Sequence, residues 1–246
     1  MPMIEEFDKA GNFLFRWRSY LPLLFFAVIF MALGNFHYPY GRHDIDLMWE
    51  VLCLFIGALG LTTRIITVGF VTSGTSGRGT AKPSASRLNT TGMYSVVRNP
   101  LYLGNFFTYL APILFVRSWS VAGVFVLAFI LYYERIIFAE EVFLRNKFGN
   151  EFIEWASKTP AFFPNYFKWN KPDLPFSWKM ALSREYHGVY GLVCVMFFWE
   201  TLTDLYINDG LMFDTFWKCT FTITTLFYLV VRFLDKKTHF LAISDR

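Results

Sequence analysis

The sequence predicts an all-α, polytopic integral membrane bundle of about six transmembrane helices. Three observations carry that prediction. Hydrophobic residues make up 54% of the 246-residue chain and charged residues only 17%, against roughly 25% charge in an ordinary soluble domain. Six apolar stretches approach the ~20 residues a helix needs to cross a hydrocarbon core about 30 Å thick. The charges between those stretches also alternate sides, as a multi-pass protein requires.

The first stretch covers about residues 20–36. It follows Glu5, Glu6 and Asp8, whereas the start of a cleavable secretory signal is basic, so it reads as a retained span. The second covers about residues 47–71. The third, about 101–116, is short and joins the fourth, about 119–139, through only Arg117 and Ser118, which makes the two a tight antiparallel helical hairpin. The fifth and sixth cover about residues 186–206 and 213–234.

With both termini in the cytoplasm, the cytoplasmic segments hold Lys9, Arg16 and Arg18, then Arg78, Lys82, Arg87 and Arg98, then the basic residues between Arg145 and Arg184, and finally Lys236, Lys237 and Arg246. The opposite side keeps Arg42, Arg117 and Lys218 beside Asp44, Asp46, Asp209 and Asp214. One assignment therefore satisfies the positive-inside rule at every loop. Two long polar segments, 72–99 and 140–184, face the cytoplasm and are where chemistry with a soluble cofactor belongs. The chain divides into an N-terminal pair of spans with its loop (1–87), a central core (88–170) and a C-terminal pair of spans (171–246).

Several classes are excluded. The net charge of +4 is small and no basic run interleaves with aromatics, so no nucleic acid is expected as a partner. Cys53, Cys194 and Cys219 sit in apolar stretches, and His37, His43, His187 and His239 are scattered, so no metal site is expected. The Gly74 to Gly79 segment has the glycines of a phosphate loop but neither a preceding strand nor a following Gly-Lys-Ser/Thr, and reads as a plain loop. Arg64, near the cytoplasmic end of the second span, either snorkels or meets a buried acid.

Three constellations remain. In Gly92-Met93-Tyr94-Ser95-Val96-Val97-Arg98-Asn99-Pro100-Leu101-Tyr102-Leu103-Gly104, Asn99 is a good N-cap and Pro100 a good first helical residue. The third span thus starts with its free N–H groups toward the cytoplasm, and Arg98 stands beside them. This corner either binds anions or merely anchors the helix at the interface. Glu134, Glu140 and Glu141 stand at the end of the fourth span. Glu140 points about 100° from Glu141, so the two cannot act as one dyad, and Glu141 could instead pair with Arg145 one turn on. Residues 148–155 read as an amphipathic interfacial helix, followed by a Pro-bounded aromatic turn from Thr159 to Asn165.

Taken in this order, the three pieces resemble the isoprenylcysteine carboxyl methyltransferase and phospholipid methyltransferase superfamily. Its pattern is Gly-x-Tyr-x-x-x-Arg-His-Pro-x-Tyr-x-Gly, a membrane hairpin, Glu-Glu, then Phe-Gly-x-x-Tyr and a Pro-bounded aromatic segment. Gly92, Tyr94, Arg98, Pro100, Tyr102 and Gly104 match the first block, Glu140 and Glu141 the second, and Phe148, Gly149, Trp155, Pro160, Phe163 and Pro164 resemble the third. The resemblance covers residues 88–164, about a third of the chain. It departs at one place, where the family histidine is Asn99, which hydrogen-bonds but carries no proton at neutral pH.

The resemblance implies an S-adenosylmethionine-dependent methyltransferase. Its cofactor pocket would face the cytoplasm and its acceptor would be a membrane lipid or lipidated substrate entering from the bilayer. It assigns Arg98 and Glu141 catalytic roles and places Tyr94, Asn99, Pro100, Tyr102, Gly104, Glu140, Trp155, Phe162 and Phe163 around the cofactor, the last three covering the adenine. Methyl transfer from a sulfonium to an anionic oxygen consumes charge, which a water-poor site favours. The expected acceptor is therefore the carboxylate or phosphate of an acidic headgroup, such as prenylcysteine or a lipid A phosphate, ahead of the amine of phosphatidylethanolamine. The related NADPH-dependent sterol reductases find no basic cluster for a 2′-phosphate in the sequence, and a transporter would show the repeats and broken helices that are missing here. A non-enzymatic scaffold is the remaining alternative. The expected location is the inner membrane of a bacterium, or the endoplasmic reticulum in a eukaryote.

Overall fold

The long apolar stretches become long helices packed side by side. The computed structural model describes residues 2–18, 20, 30, 43–72, 75, 85–208 and 214–242. Its helices are α1 (Met3–Trp17), α2 (His43–Gly69), α3 (Met93–Val96), α4 (Pro100–Phe115), α5 (Trp119–Phe148), α6 (Asn150–Lys158), α7 (Trp178–Asn208) and α8 (Thr215–Lys237), with a 3-10 turn at Tyr166–Lys168. The fold is all-α. Among the described residues four helices, α2, α5, α7 and α8, are long and apolar enough to cross a membrane, and α4 is a shorter apolar helix. The expected first span falls outside the described residues except for Tyr20 and Phe30, as do Arg42 and, Thr75 apart, the Gly74 to Gly79 loop.

Two boundaries correct the sequence expectation. The fourth span does not stop at residue 139: α5 runs unbroken to Phe148, so Glu140 and Glu141 are part of the helix. The fifth begins at Trp178 rather than near 186. In both cases hydropathy falls where the chain leaves the hydrocarbon, while backbone hydrogen bonding continues because Glu, Arg, Lys, Met and Ala are good helix formers.

The hairpin forms as expected. Val116 caps α4, Arg117 takes a positive φ of 57°, and α5 starts at Trp119. The strained turn is held by an ion pair between Arg117 and the buried Asp46 of α2. Helices α2 and α4 pack most closely through Gly60 and Gly104. A Cβ on Gly60 would lie 2.5 Å from the Gly104 carbonyl oxygen, and one on Gly104 would lie 2.8 Å from that of Gly60. Small residues let the two backbones touch, as membrane helix pairs do. The apolar core around them includes Phe115, Phe125, Trp199 and Trp217.

At one end of the bundle the carboxylates of Glu50, Glu200 and Asp214 converge, with ligand oxygens within 4.8 Å of one another. The Trp217 indole N–H donates to Glu50 at 2.8 Å. At 1.5 Å per residue, Glu50 and Arg64 are about 21 Å apart along α2, so this cluster lies far from the cavity described next.

Helix α1 is amphipathic, with Gly11 and Phe15 buried. It lies on α5, where a Cβ on Gly11 would meet the Arg135 carbonyl oxygen at 2.3 Å. The Tyr132 hydroxyl donates to the Leu14 carbonyl at 3.1 Å.

Candidate functional site

The first motif is held by the segment after α6. Gly92, at a φ of 61°, opens α3 and forms a bridge with Asn170. The Arg98 N–H donates to the Pro160 carbonyl at 2.8 Å and the Asn165 N–H to the Val96 carbonyl at 3.0 Å. The Trp155 indole donates to the Tyr94 carbonyl at 3.0 Å. The Pro-bounded aromatic turn is thus a clamp across residues 92–98.

Asn99 precedes α4, and its carbonyl accepts from the Tyr102 and Leu103 N–H groups. Its side chain makes no capping bond; the amide instead donates to the Ala161 carbonyl at 3.2 Å. The expected side-chain cap is therefore replaced by a link to the clamp.

Glu140 and Glu141 face different partners, as their angular offset requires. Arg98 Nε lies 2.9 Å from Glu141 Oε1, and its Nη1 donates to the Ala156 carbonyl at 2.8 Å. Glu141 therefore reaches across to the motif, in place of the local pairing with Arg145. Glu140 Oε1 lies 3.6 Å from Arg18 Nη1, which also reaches the Tyr102 hydroxyl at 3.3 Å. Glu134 is exposed and takes no part.

These groups open onto a cavity of 640 Å³. Tyr94, Arg98, Asn99, Pro100, Tyr102, Glu140 and Trp155 line it. Burial, and then the Glu140 carboxylate, push the Tyr94 phenol up, so it stays protonated at neutral pH. Glu141 stands behind Arg98 and not in the lining. Gly104 is also outside the lining and serves the α2–α4 crossing. Phe162 and Phe163 are outside it too, Phe163 being 88% exposed.

The structure adds residues that the motif leaves out. Arg64 meets a buried acid: its guanidinium holds Glu185 of α7 by two bonds, 2.7 and 2.9 Å long. It also donates to Asn105, whose amide donates to the Tyr133 hydroxyl at 3.1 Å. Tyr133 packs on Tyr102 with ring centroids 4.7 Å apart. A polar chain thus runs from α7 through α2 and α4 to α5. Among the described residues, five arginines, Arg18, Arg64, Arg87, Arg98 and Arg184, line the cavity, against two carboxylates, Glu140 and Glu185. The sequence shows no basic cluster because these five are spread over more than 160 residues; the fold assembles one. The only cue in the sequence is Arg64, a charge placed in an apolar helix.

A family model described as phospholipid methyltransferase matches residues 49–151. The nickel-cobalt-cadmium resistance protein NccN of Alcaligenes xylosoxydans xylosoxydans is 32% identical over 164 residues, which is 66% of this chain and 72% of that protein. The cobalt-zinc-cadmium resistance protein CzcN of Cupriavidus metallidurans is 36% identical over 126 residues, 51% of this chain and 56% of that protein. No solved structure matches the chain.

Proposed function

The chain belongs to the phospholipid methyltransferase family, and from that premise we propose that it is an integral membrane enzyme that uses S-adenosylmethionine to O-methylate an acidic headgroup of a membrane amphiphile. The observation that carries the choice of acceptor is the cavity lining. Among the described residues five arginines line it against two carboxylates; Glu140 pairs with Arg18 and Glu185 with Arg64, while Arg87 and Arg98 pair with Asp173 and Glu141 outside the lining. Guanidinium groups recognise carboxylate and phosphate oxygens. An amine acceptor would arrive protonated and would need a base; in the lining both carboxylates are engaged with arginines, and the His187 ring packs on Tyr186 with centroids 4.0 Å apart. An oxyanion acceptor has no proton to lose.

The residues present fit the cofactor. A cavity of 640 Å³ is in the range of small-molecule sites, and Glu140 offers a carboxylate to a ligand that carries cationic groups. When bound, S-adenosylmethionine supplies a methyl group activated by a positive sulfur. Tyr94, Asn99, Tyr102, Glu140 and Trp155 would hold it. Arg98, fixed by Glu141 and by the Ala156 carbonyl, would orient the acceptor's oxyanion. Asn99 in place of the family histidine fits this division, since its work here is to tie the motif to the clamp. The cavity end of the bundle also carries the basic residues expected to face the cytoplasm, where the cofactor is found.

The relatives' names concern resistance to divalent metals. For this chain we infer a contribution through surface charge. Methylating an oxyanion removes one negative charge from a headgroup. At a surface near −30 mV a divalent cation is enriched by about 1.4 kcal/mol, or roughly tenfold, and neutralising headgroups lowers that enrichment.

The test uses the purified full chain in lipid nanodiscs with methyl-labelled S-adenosylmethionine and total membrane lipid. Label is expected in a lipid that has lost negative charge on anion exchange. Label in a lipid whose negative charge is unchanged would replace the acidic acceptor by the phosphatidylethanolamine-type amine. Binding of NADPH in place of S-adenosylmethionine would turn the assignment to the reductases, and binding of neither to a scaffold.

A further inference from the structure

Resting on the cofactor assignment above, we propose that Arg18 is a positioning residue of the methyl-transfer site, holding the Glu140 carboxylate charged and turned into the cavity. Arg18 lies outside residues 49–151, the segment the family model matches, and it reaches the site only because α1 is fixed to α5. The fixing is specific. Gly11 touches the backbone at Arg135, Tyr132 donates to Leu14, and the Arg135 guanidinium lies 3.3 Å from the Phe7 ring centroid. Arg18 follows the last turn of α1, with its guanidinium 4.0 Å from the Phe15 ring. From there it meets Glu140 and Tyr102.

Among the described residues, the titratable and charged groups that face Glu140 are few. Arg18 comes from α1, Tyr102 from α4 and Tyr94 from α3, while Glu141 is its neighbour on α5. Both tyrosines are neutral, and Glu141 is a like charge whose own cation is Arg98. The adjacent carboxylates Glu140 and Glu141 are thus each met by one arginine. The family motif supplies the cation for Glu141, and α1 supplies the cation for Glu140. A carboxylate among aromatic rings that loses its cation takes up a proton more readily. A protonated Glu140 no longer attracts a cationic ligand.

This yields an outcome that simple charge counting gets backwards. Taking a positive charge away from the neighbourhood of a cationic ligand should tighten binding. If Arg18 instead keeps Glu140 ionised, its loss weakens binding. Because Arg18 lowers the pH at which Glu140 loses its charge, removing it moves that pH upward.

The experiment compares the full-length protein with Arg18→Gln, Arg18→Lys and Glu140→Gln in nanodiscs. S-adenosylmethionine binding is measured by calorimetry from about pH 6 to 9. In ligand-free protein, the carbonyl band of protonated Glu140, identified by its loss in Glu140→Gln, is followed by infrared titration over the same range. Arg18→Gln is expected to bind about fivefold more weakly at pH 7 and about tenfold more weakly at lower pH, which corresponds to a shift of about one pH unit in Glu140. Affinity should recover at higher pH, and Arg18→Lys should behave nearly as the parent. Unchanged or tighter binding in Arg18→Gln, or an infrared titration that does not move, would overturn the proposal. Failure of the parent protein to bind S-adenosylmethionine would overturn the cofactor assignment, while the ligand-free titration would still decide the role of Arg18. If Arg18→Gln does not fold, Arg18→Lys carries the test. The lysine variant keeps the cation, so it supports the positioning role if it titrates Glu140 as the parent does, and a Glu140 titration moved markedly upward in it, with the cation retained, opposes that role.

Discussion

Replacing Gly104 by alanine separates two roles for one residue. The family pattern puts Gly104 beside the cofactor, whereas the structure puts it at the crossing of α2 and α4. A Cβ there would lie 2.4 Å from Arg64 Cγ and 2.8 Å from the Gly60 carbonyl oxygen, where ordinary contact begins at 3.4 Å. The shortfall is about 1 Å against the arginine and 0.6 Å against a backbone atom that cannot rotate away. The helices must part or Arg64 must move, and overpacking of this kind costs about 1–3 kcal/mol. Moving Arg64 also disturbs its two bonds to Glu185. Gly104→Ala should therefore lower the thermal unfolding midpoint of the detergent-solubilised protein, and any loss of cofactor affinity should accompany it. A variant of undiminished stability that no longer binds S-adenosylmethionine would refute the packing role and return Gly104 to the cofactor.

Other expectations follow from single contacts. Glu141→Gln removes the charge that fixes Arg98 at 2.9 Å. It should cost about 1.4 kcal/mol, or tenfold in methyl transfer, with the fold retained; activity near normal would remove Glu141 and Arg98 from the site. Arg64→Ala strands Glu185, whose side chain is 4% exposed, and should destabilise by about 3–5 kcal/mol, while Arg64→Met with Glu185→Leu should cost far less; equal losses in single and double variants would argue against the pair. Phe163→Ala, at a residue 88% exposed, should change stability by no more than about 0.5 kcal/mol and leave calorimetric cofactor binding unchanged; a large loss of affinity would bring the aromatic turn back into the pocket.

How much of this was legible in the sequence depends on the range of the interaction. Four of the spans, and the shorter third, could be read because the length of an apolar run and the thickness of a bilayer are both local quantities; the first lies largely outside the described residues. The hairpin could be read because Arg117 and Ser118 leave no room for anything but a tight turn. Asn99-Pro100 marked the start of α4 correctly, although the Asn99 side chain went to Ala161 instead of capping. Helix ends beyond the hydrocarbon were missed, since hydropathy reports the membrane boundary and α5 continues past it. Pairings were the least legible. Glu141 had Arg145 one turn away, yet it pairs with Arg98 from another helix. Arg64 and Glu185 are 121 residues apart, and no periodicity links them. The arginine-rich lining could not be seen for the same reason, because five scattered residues form a cluster only once α1, α2, α4 and α7 are in place.

The unbroken α5 has a consequence of its own. Thirty residues make a rod about 45 Å long, and a hydrocarbon core accounts for only about 30 Å of it. Glu140 and Glu141 stand about 32 and 33 Å along the rod from Trp119, just past that length, so one rigid element would meet the bilayer with one part and hold the site with the other. When hydrophobic mismatch changes the tilt of such a rod, a rotation of about 10° sweeps a point 15 Å above the pivot sideways by roughly 2.6 Å. An ion pair 2.9 Å long does not survive that displacement. If the chain carries out the methyl transfer proposed above, its turnover is then expected to depend on the thickness of the membrane around it.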